Sequence, residues 1–172
     1  GAGTVAAAPA GVAAAAAAET LSAADVRTRL DRVTQLVASG DVNTAIDDLL
    51  YIHERNANDA ETQALLGALL LAVQQFDLAE DFLFSACELS QWTDPAIISN
   101  LAIALREKGD LDMGLKILSK GLESASQADT TGILSISIGD MQLASQNYSA
   151  AADWYLLACF KQPNNVDMWL KA

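Results

Sequence analysis

A small residue returns along the chain in near-identical surroundings: Ala45 in GDVNTAIDDLL, Ala79 in QQFDLAEDFLF, Gly114 in GDLDMGLKILS and Ala151 in QNYSAAADWYL. The intervals are 34, 35 and 37 residues. A period in that range constrains the fold more than any other feature, because it marks a solenoid rather than a compact enzyme domain. Each unit is a helical hairpin that cannot bury its apolar face alone, so neighbours must stack.

The rest of each unit keeps the same frame. With the small residue counted as repeat position 20, position 8, where two helices cross closely, is Val33, Gly67, Ala102 and Gly139. Position 11 is Leu36, Leu70, Leu105 and Gln142, position 24 is Leu49, Leu83, Leu118 and Tyr155, and position 27 is Ile52, Ala86, Gly121 and Ala158. The turn reads Gly40-Asp41, Gln74-Gln75, Gly109-Asp110 and Gln146-Asn147, followed by Val42, Phe76, Leu111 or Tyr148. Pro163 falls at position 32, where a proline stops a second helix. This pattern resembles the tetratricopeptide repeat (TPR), with about four repeats over residues 26–165 and the start of a fifth. The resemblance implies an all-α fold: a right-handed superhelical solenoid of stacked antiparallel helical hairpins.

Three repeats depart from the pattern. The first carries Arg29 and Arg32 where large apolar residues are usual, which predicts an end cap with a polar outer face. The third has Gly114 and Gly121 inside one helix, each costing about 1 kcal/mol against alanine, so close packing or a softer hairpin is expected there. The fourth has Ser135 and Gln142 at apolar sites. Beyond Pro163, Trp169 occupies the aromatic position of a fifth first helix. The repeat domain is therefore expected over residues 22–172, truncated at its C-terminus. Residues 1–21 read as an Ala-rich lead or linker outside the core, since Pro9 and Gly11 interrupt the alanines and no basic residue precedes Arg27. Ser22 and Asp25 then mark a helix start.

The apolar fraction of 52% owes much to alanine and the aromatic fraction is only 6%, a profile suited to closely approaching helices. No strongly apolar run reaches membrane-spanning length, so no membrane association is expected. A net charge of −12 argues against nucleic acid as a partner. It fits either a solvated acidic face or steering of a basic partner. Cys87 and Cys159 share position 28 two units apart, beyond disulfide reach, and are expected as buried core residues. With neither a disulfide framework nor a signal peptide, a cytoplasmic location is weakly favoured.

No catalytic constellation stands out, and the chain is read as not an enzyme. His53 is the only histidine, so a multi-histidine metal site within this chain is ruled out, and a charge-and-cap role near a helix end is expected. There is no phosphate-binding Gly-rich loop and no CxxC pair. Asp47-Asp48 and Glu80-Asp81 are expected on exposed helix positions, and adjacent residues do not share a helix face. Asn147-Tyr148-Ser149 matches a glycosylation sequon but lies in a turn. Neither cofactor nor metal is expected.

The TPR resemblance implies that the first helix of each hairpin lines a concave groove. Its groove positions correspond to Glu61, Ala64, Leu65 and Ala68 with Leu71, then to Ser99, Asn100, Ile103 and Arg106 with Ala96, then to Ile136 and Asp140 with Ile133, Ser137 and Leu143. Leu65, Ile103 and Ile136 would form an apolar floor, and the Asn100 amide can both donate and accept. The carboxylate clamp of chaperone-binding members is not matched: Ala64, Ala68, Asn100, Ile136 and Asp140 stand at its positions, and only the asparagine agrees. The expected function is a protein–protein interaction scaffold whose partner offers an apolar or amphipathic segment with basic flanks. Two alternatives stay open: a regulatory or substrate-positioning arm of a larger enzyme, or a self-assembling homo-oligomeric unit.

Overall fold

A computed structural model describes residues 20–125 and 127–163. The expectations for the Ala-rich lead and for Trp169 fall largely or wholly outside the described residues. Among the described residues eight helices follow one another: α1 (Ala23–Ser39), α2 (Val42–Arg55), α3 (Ala60–Ala72), α4 (Phe76–Leu89), α5 (Pro95–Lys108), α6 (Leu111–Ala125), α7 (Ile133–Ala144) and α8 (Tyr148–Lys161). They pair as four antiparallel hairpins, and each hairpin's second helix packs on the first helix of the next. The fold is an all-α TPR-like superhelical solenoid.

The helix ends are written into the chain. Side chains of Ser22, Asp41, Asp59 and Asp94 accept hydrogen bonds from main-chain N–H groups in the first turns of α1, α2, α3 and α5. Those N–H groups would otherwise lack a partner. Pro95 opens α5, where its missing N–H costs nothing. Ahead of α1, Leu21 packs on the core and is pinned by Asn56, whose Oδ1 accepts from Leu21 N–H at 3.1 Å and whose Nδ2 donates to Leu21 O at 3.3 Å.

All four turns inside hairpins use the same left-handed residue. Gly40 and Gly109 have φ of 84° and 85°, and Gln74 and Gln146 occupy the same place at 61° and 60°. Glycine adopts that conformation without the Cβ clash that glutamine must bear.

The variation in period lies between hairpins. The segments joining successive hairpins, residues 56–59, 90–94 and 126–132, are four, five and seven residues long, in step with the 34, 35 and 37 residue intervals. The longest is tied down by a buried carboxylate. Asp129 Oδ1 accepts from Ile133 N–H at 2.8 Å, while Lys161 Nζ at the end of α8 donates to Asp129 O and Oδ2 at 2.8 and 3.1 Å.

The main core runs from α1 to α7, and a smaller cluster of Ala158 and Cys159, with Ile136 packed on it, lies between α7 and α8. Ala45, Ala79, Gly114 and Ala151 are buried where helices cross, with Leu49, Leu83, Leu118 and Tyr155 one turn further on. The glycines of the third repeat reflect close packing, since a Cβ on Gly121 would press on Ile98 and approach Leu134. Two expectations need correction. Asp48 is buried, not exposed beside Asp47, because Arg29 and Arg32 reach across from α1 to within 3.6 and 3.2 Å of its carboxylate. Arg29 and Arg32 thus lean over their own hairpin, while Arg27 stays exposed beside Asp31. Arg29 also lies 3.9 Å from the centre of the Tyr51 ring, with Arg55 at 3.6 Å. His53 caps nothing: it meets Phe82 of α4 edge-on at 5.2 Å, and its Nδ1 is buried without a hydrogen-bond partner.

Candidate functional site

Helices α3, α5 and α7 pack side by side, α3 on α5 and α5 on α7. The second helices lie on the other side of the stack and meet through long side chains, as His53 meets Phe82. This difference in spacing curves the solenoid and makes α3, α5 and α7 its inner face. Glu61 and Leu65 of α3 are exposed, and Ala64 and Ala68 are partly so. On α5, Asn100, Ile103 and Arg106 are partly exposed, as are Ile136 and Asp140 on α7. Small side chains on α3 lower that wall, and the two isoleucines set an apolar surface beside it. The Asn100 amide makes no hydrogen bond to another described residue, so its donors and acceptor remain available.

Ser99 is placed differently from its neighbours in sequence. It is 3% exposed, and its Oγ lies 2.7 Å from Oγ of Ser137. Ser137 Oγ also lies 2.9 Å from the Ile133 carbonyl, to which it donates. The pair ties α5 to α7 beneath the groove. A buried hydroxyl pair needs mutual satisfaction, and two serines at adjacent repeat positions on successive first helices were the available signal for it.

A polar cluster closes one side of the surface. Arg106 stands 3.6 Å from Asp140 and 2.9 Å from Glu107. Tyr155 Oη donates to Asp140 Oδ1 at 2.7 Å. Burial, followed by the Asp140 carboxylate, pushes the Tyr155 phenol well above its ordinary pKa. The arginine that could have gripped a ligand carboxylate is therefore already paired with carboxylates of its own chain.

Cys87 and Cys159 are both free and buried. Burial, aided by Asp94 and Glu88, raises the Cys87 thiol from 9.0 to about 12, leaving almost no thiolate at neutral pH. Among the described residues no cluster of three or more histidine, cysteine or acidic side chains has metal-binding geometry. No described helix is long and apolar enough to cross a membrane.

No family model matches this sequence, and no curated protein matches it. Solved structures do. MamA 41-end from Desulfovibrio magneticus RS-1 superposes with a TM-score of 0.69 at 12% identity, over 83% of this chain and 78% of that one. The Pseudomonas aeruginosa pilF structure gives 0.73 at 13% identity, over 85% of this chain and 65% of the other. YrrB, described as a TPR protein with an unusual peptide-binding site, gives 0.64 at 12% identity, over 84% and 72%. At such identities the likeness speaks for the fold. Together with the repeat frame and the hairpin stack, it makes this chain a TPR-like repeat protein.

Proposed function

We propose that the chain is a non-catalytic scaffold that grips a segment of another protein along the inner face of α3, α5 and α7. The observation that carries this reading is the joint exposure of Ala64, Leu65, Ala68, Ile103 and Ile136 around the unengaged Asn100 amide. An apolar segment can lie on the first five, while Asn100 pairs with a main-chain amide. Exposed Glu61 at one margin, and the net charge of −12, favour lysine or arginine on the partner's flanks. The pairing of Arg106 with Asp140 and Glu107 disfavours capture of a C-terminal carboxylate.

The test places a charge in the groove at Ala68→Glu and at Ile103→Lys. Both variants are expected to lose the partners that immobilised wild type retains from cell lysate, identified by mass spectrometry. Their circular dichroism spectra and melting temperatures should stay close to wild type. Partners retained equally by all three baits, with the fold intact, would place the binding surface elsewhere.

A further inference from the structure

The chain enters the repeat domain at one end of the inner face. Leu21 packs on the core, and Asn56 fixes its place through two hydrogen bonds. Thr20 lies over the segment that leads into α3, sharing a surface hollow with Asn56, Asn58 and Asp59. Asp59 caps α3, and Glu61, two residues on, is the first residue of the groove. A second hollow joins the two places: Val26 and Leu30 of α1 line it together with Asn56, Asp59 and Glu61. Residues 1–19 therefore leave the described chain beside the α1 end of the groove.

That segment is long enough to cross the inner face. Extended chain covers about 3.3 Å per residue, so residues 1–19 reach about 60 Å. From α3 to α7 the inner face spans two helix spacings, about 20 Å. Composition fits as well. Up to Ala18 the segment holds only glycine, alanine, threonine, valine and proline, and Glu19 is its sole charged side chain. Small uncharged side chains can cover Ala64, Ala68, Ile103 and Ile136 without burying a charge, and main-chain amides suit Asn100. The other exposed apolar side chains, Leu156, Leu157 and Phe160 of α8, lie three hairpins away, where the concentration conferred by a tether at Thr20 is lower.

We propose that residues 1–19 fold back along the inner face and fill the groove as an internal occupant, which a partner must displace. A short tether supplies an effective concentration of about 1 mM. A contact with an intrinsic dissociation constant of about 0.1 mM then keeps the groove about nine-tenths filled, and a partner binds about tenfold more weakly than to an open groove. The segment lacks the basic flanks that the acidic margin favours, so a partner carrying them can replace it. This competition rests on the groove reading above; the contact itself does not.

The test uses the full chain with a nitroxide on Ala15→Cys, the native Cys87 and Cys159 being buried and slow to react. Paramagnetic broadening of amide NMR signals is read against the reduced label. Ala64, Ala68, Asn100 and Ile103 should lose most of their signal, whereas exposed Leu50 and Phe84 of the second helices should keep theirs. Val12→Asp, outside the described fold, and Ile103→Lys, within the groove, should each restore the lost signal. Absence of broadening on α3 and α5, or broadening that neither substitution relieves, overturns the proposal. So does broadening that appears when labelled chain is mixed with isotope-enriched unlabelled chain, which assigns the segment to a neighbouring copy. Lysate capture separates this inference from the groove reading. Partners lost by Ile103→Lys, with no broadening in the labelled chain, overturn the internal occupant and leave the groove reading standing. Broadening as expected, with capture unchanged in Ile103→Lys, upholds the internal occupant and overturns the groove as a partner site.

Discussion

The ring of Tyr155 fills the space that a side chain on Gly139 would need: a Cβ built on that glycine would stand 2.5 Å from Tyr155 Cε1. The ring is held there by the bond from its hydroxyl to Asp140, the residue next to the glycine. Helices α7 and α8 cross closely because position 8 is a glycine opposite an aromatic residue. Gly139→Ala gains about 1 kcal/mol in helix propensity but overpacks the crossing at a cost of about 1–3 kcal/mol. The rigid ring has no free end to swing away, so net destabilisation is expected. Tyr155→Phe keeps the ring and loses the bond, at a cost of about 1 kcal/mol. Urea unfolding of the two variants measures both.

The shared turn geometry makes a second prediction. Gln74 and Gln146 stand at φ near 60° where the other two hairpins have glycine. Gln74→Gly and Gln146→Gly remove the left-handed strain, which outweighs the entropy of the added glycine, and each should raise stability by up to about 1 kcal/mol. In the opposite direction, a Cβ on Gly109 would meet nothing within 4 Å. Gly109→Ala should therefore cost about 1–2 kcal/mol from backbone conformation alone. Thermal melts of the three variants should move in these opposite directions.

Alkaline pH should weaken the fold. Cys87 and Tyr155 are acids whose pKa values the fold raises, so the native state keeps protons that the unfolded chain releases first. Stability is then fully present below the unfolded values and declines as pH rises past them. For Cys87 that window runs from 9.0 to about 12. Lys108, raised by its hydrogen bonds to Asp77 and Glu80, acts in the same direction, since its pairing is lost when it deprotonates. Melting temperature should be flat from neutrality to about pH 8.5 and fall above pH 9. Cys87→Ala should start lower but fall less steeply across that range.

Much of this architecture could be read from spacing alone. Helix periodicity, turn residues and helix caps act within a few residues, so Asp41 before α2 or Gly109 after α5 carries its meaning wherever it stands. The recurrence of Ala45, Ala79, Gly114 and Ala151 needs only one further physical fact, that hairpins with one apolar face must stack. Relations between helices were less legible. Asp48 looked like half of an exposed acidic pair, because nothing near it in the chain announces that Arg29 and Arg32 cross from α1 to meet it. Ser99 and Ser137, 38 residues apart, read as two groove residues and stand as one buried tie. Arg106 looked available to a ligand until α7 brought Asp140 beside it.

The sequence by itself determined that the chain forms stacked hairpins, where the turns inside them fall, and which small residues mark the crossings. These follow from local backbone preferences and a repeated pattern. The tertiary structure alone decided how each helix is rotated against its neighbours. That rotation depends on side-chain fit at every crossing and on linkers of four, five and seven residues between hairpins. It buries Ser99 and leaves the Asn100 amide open.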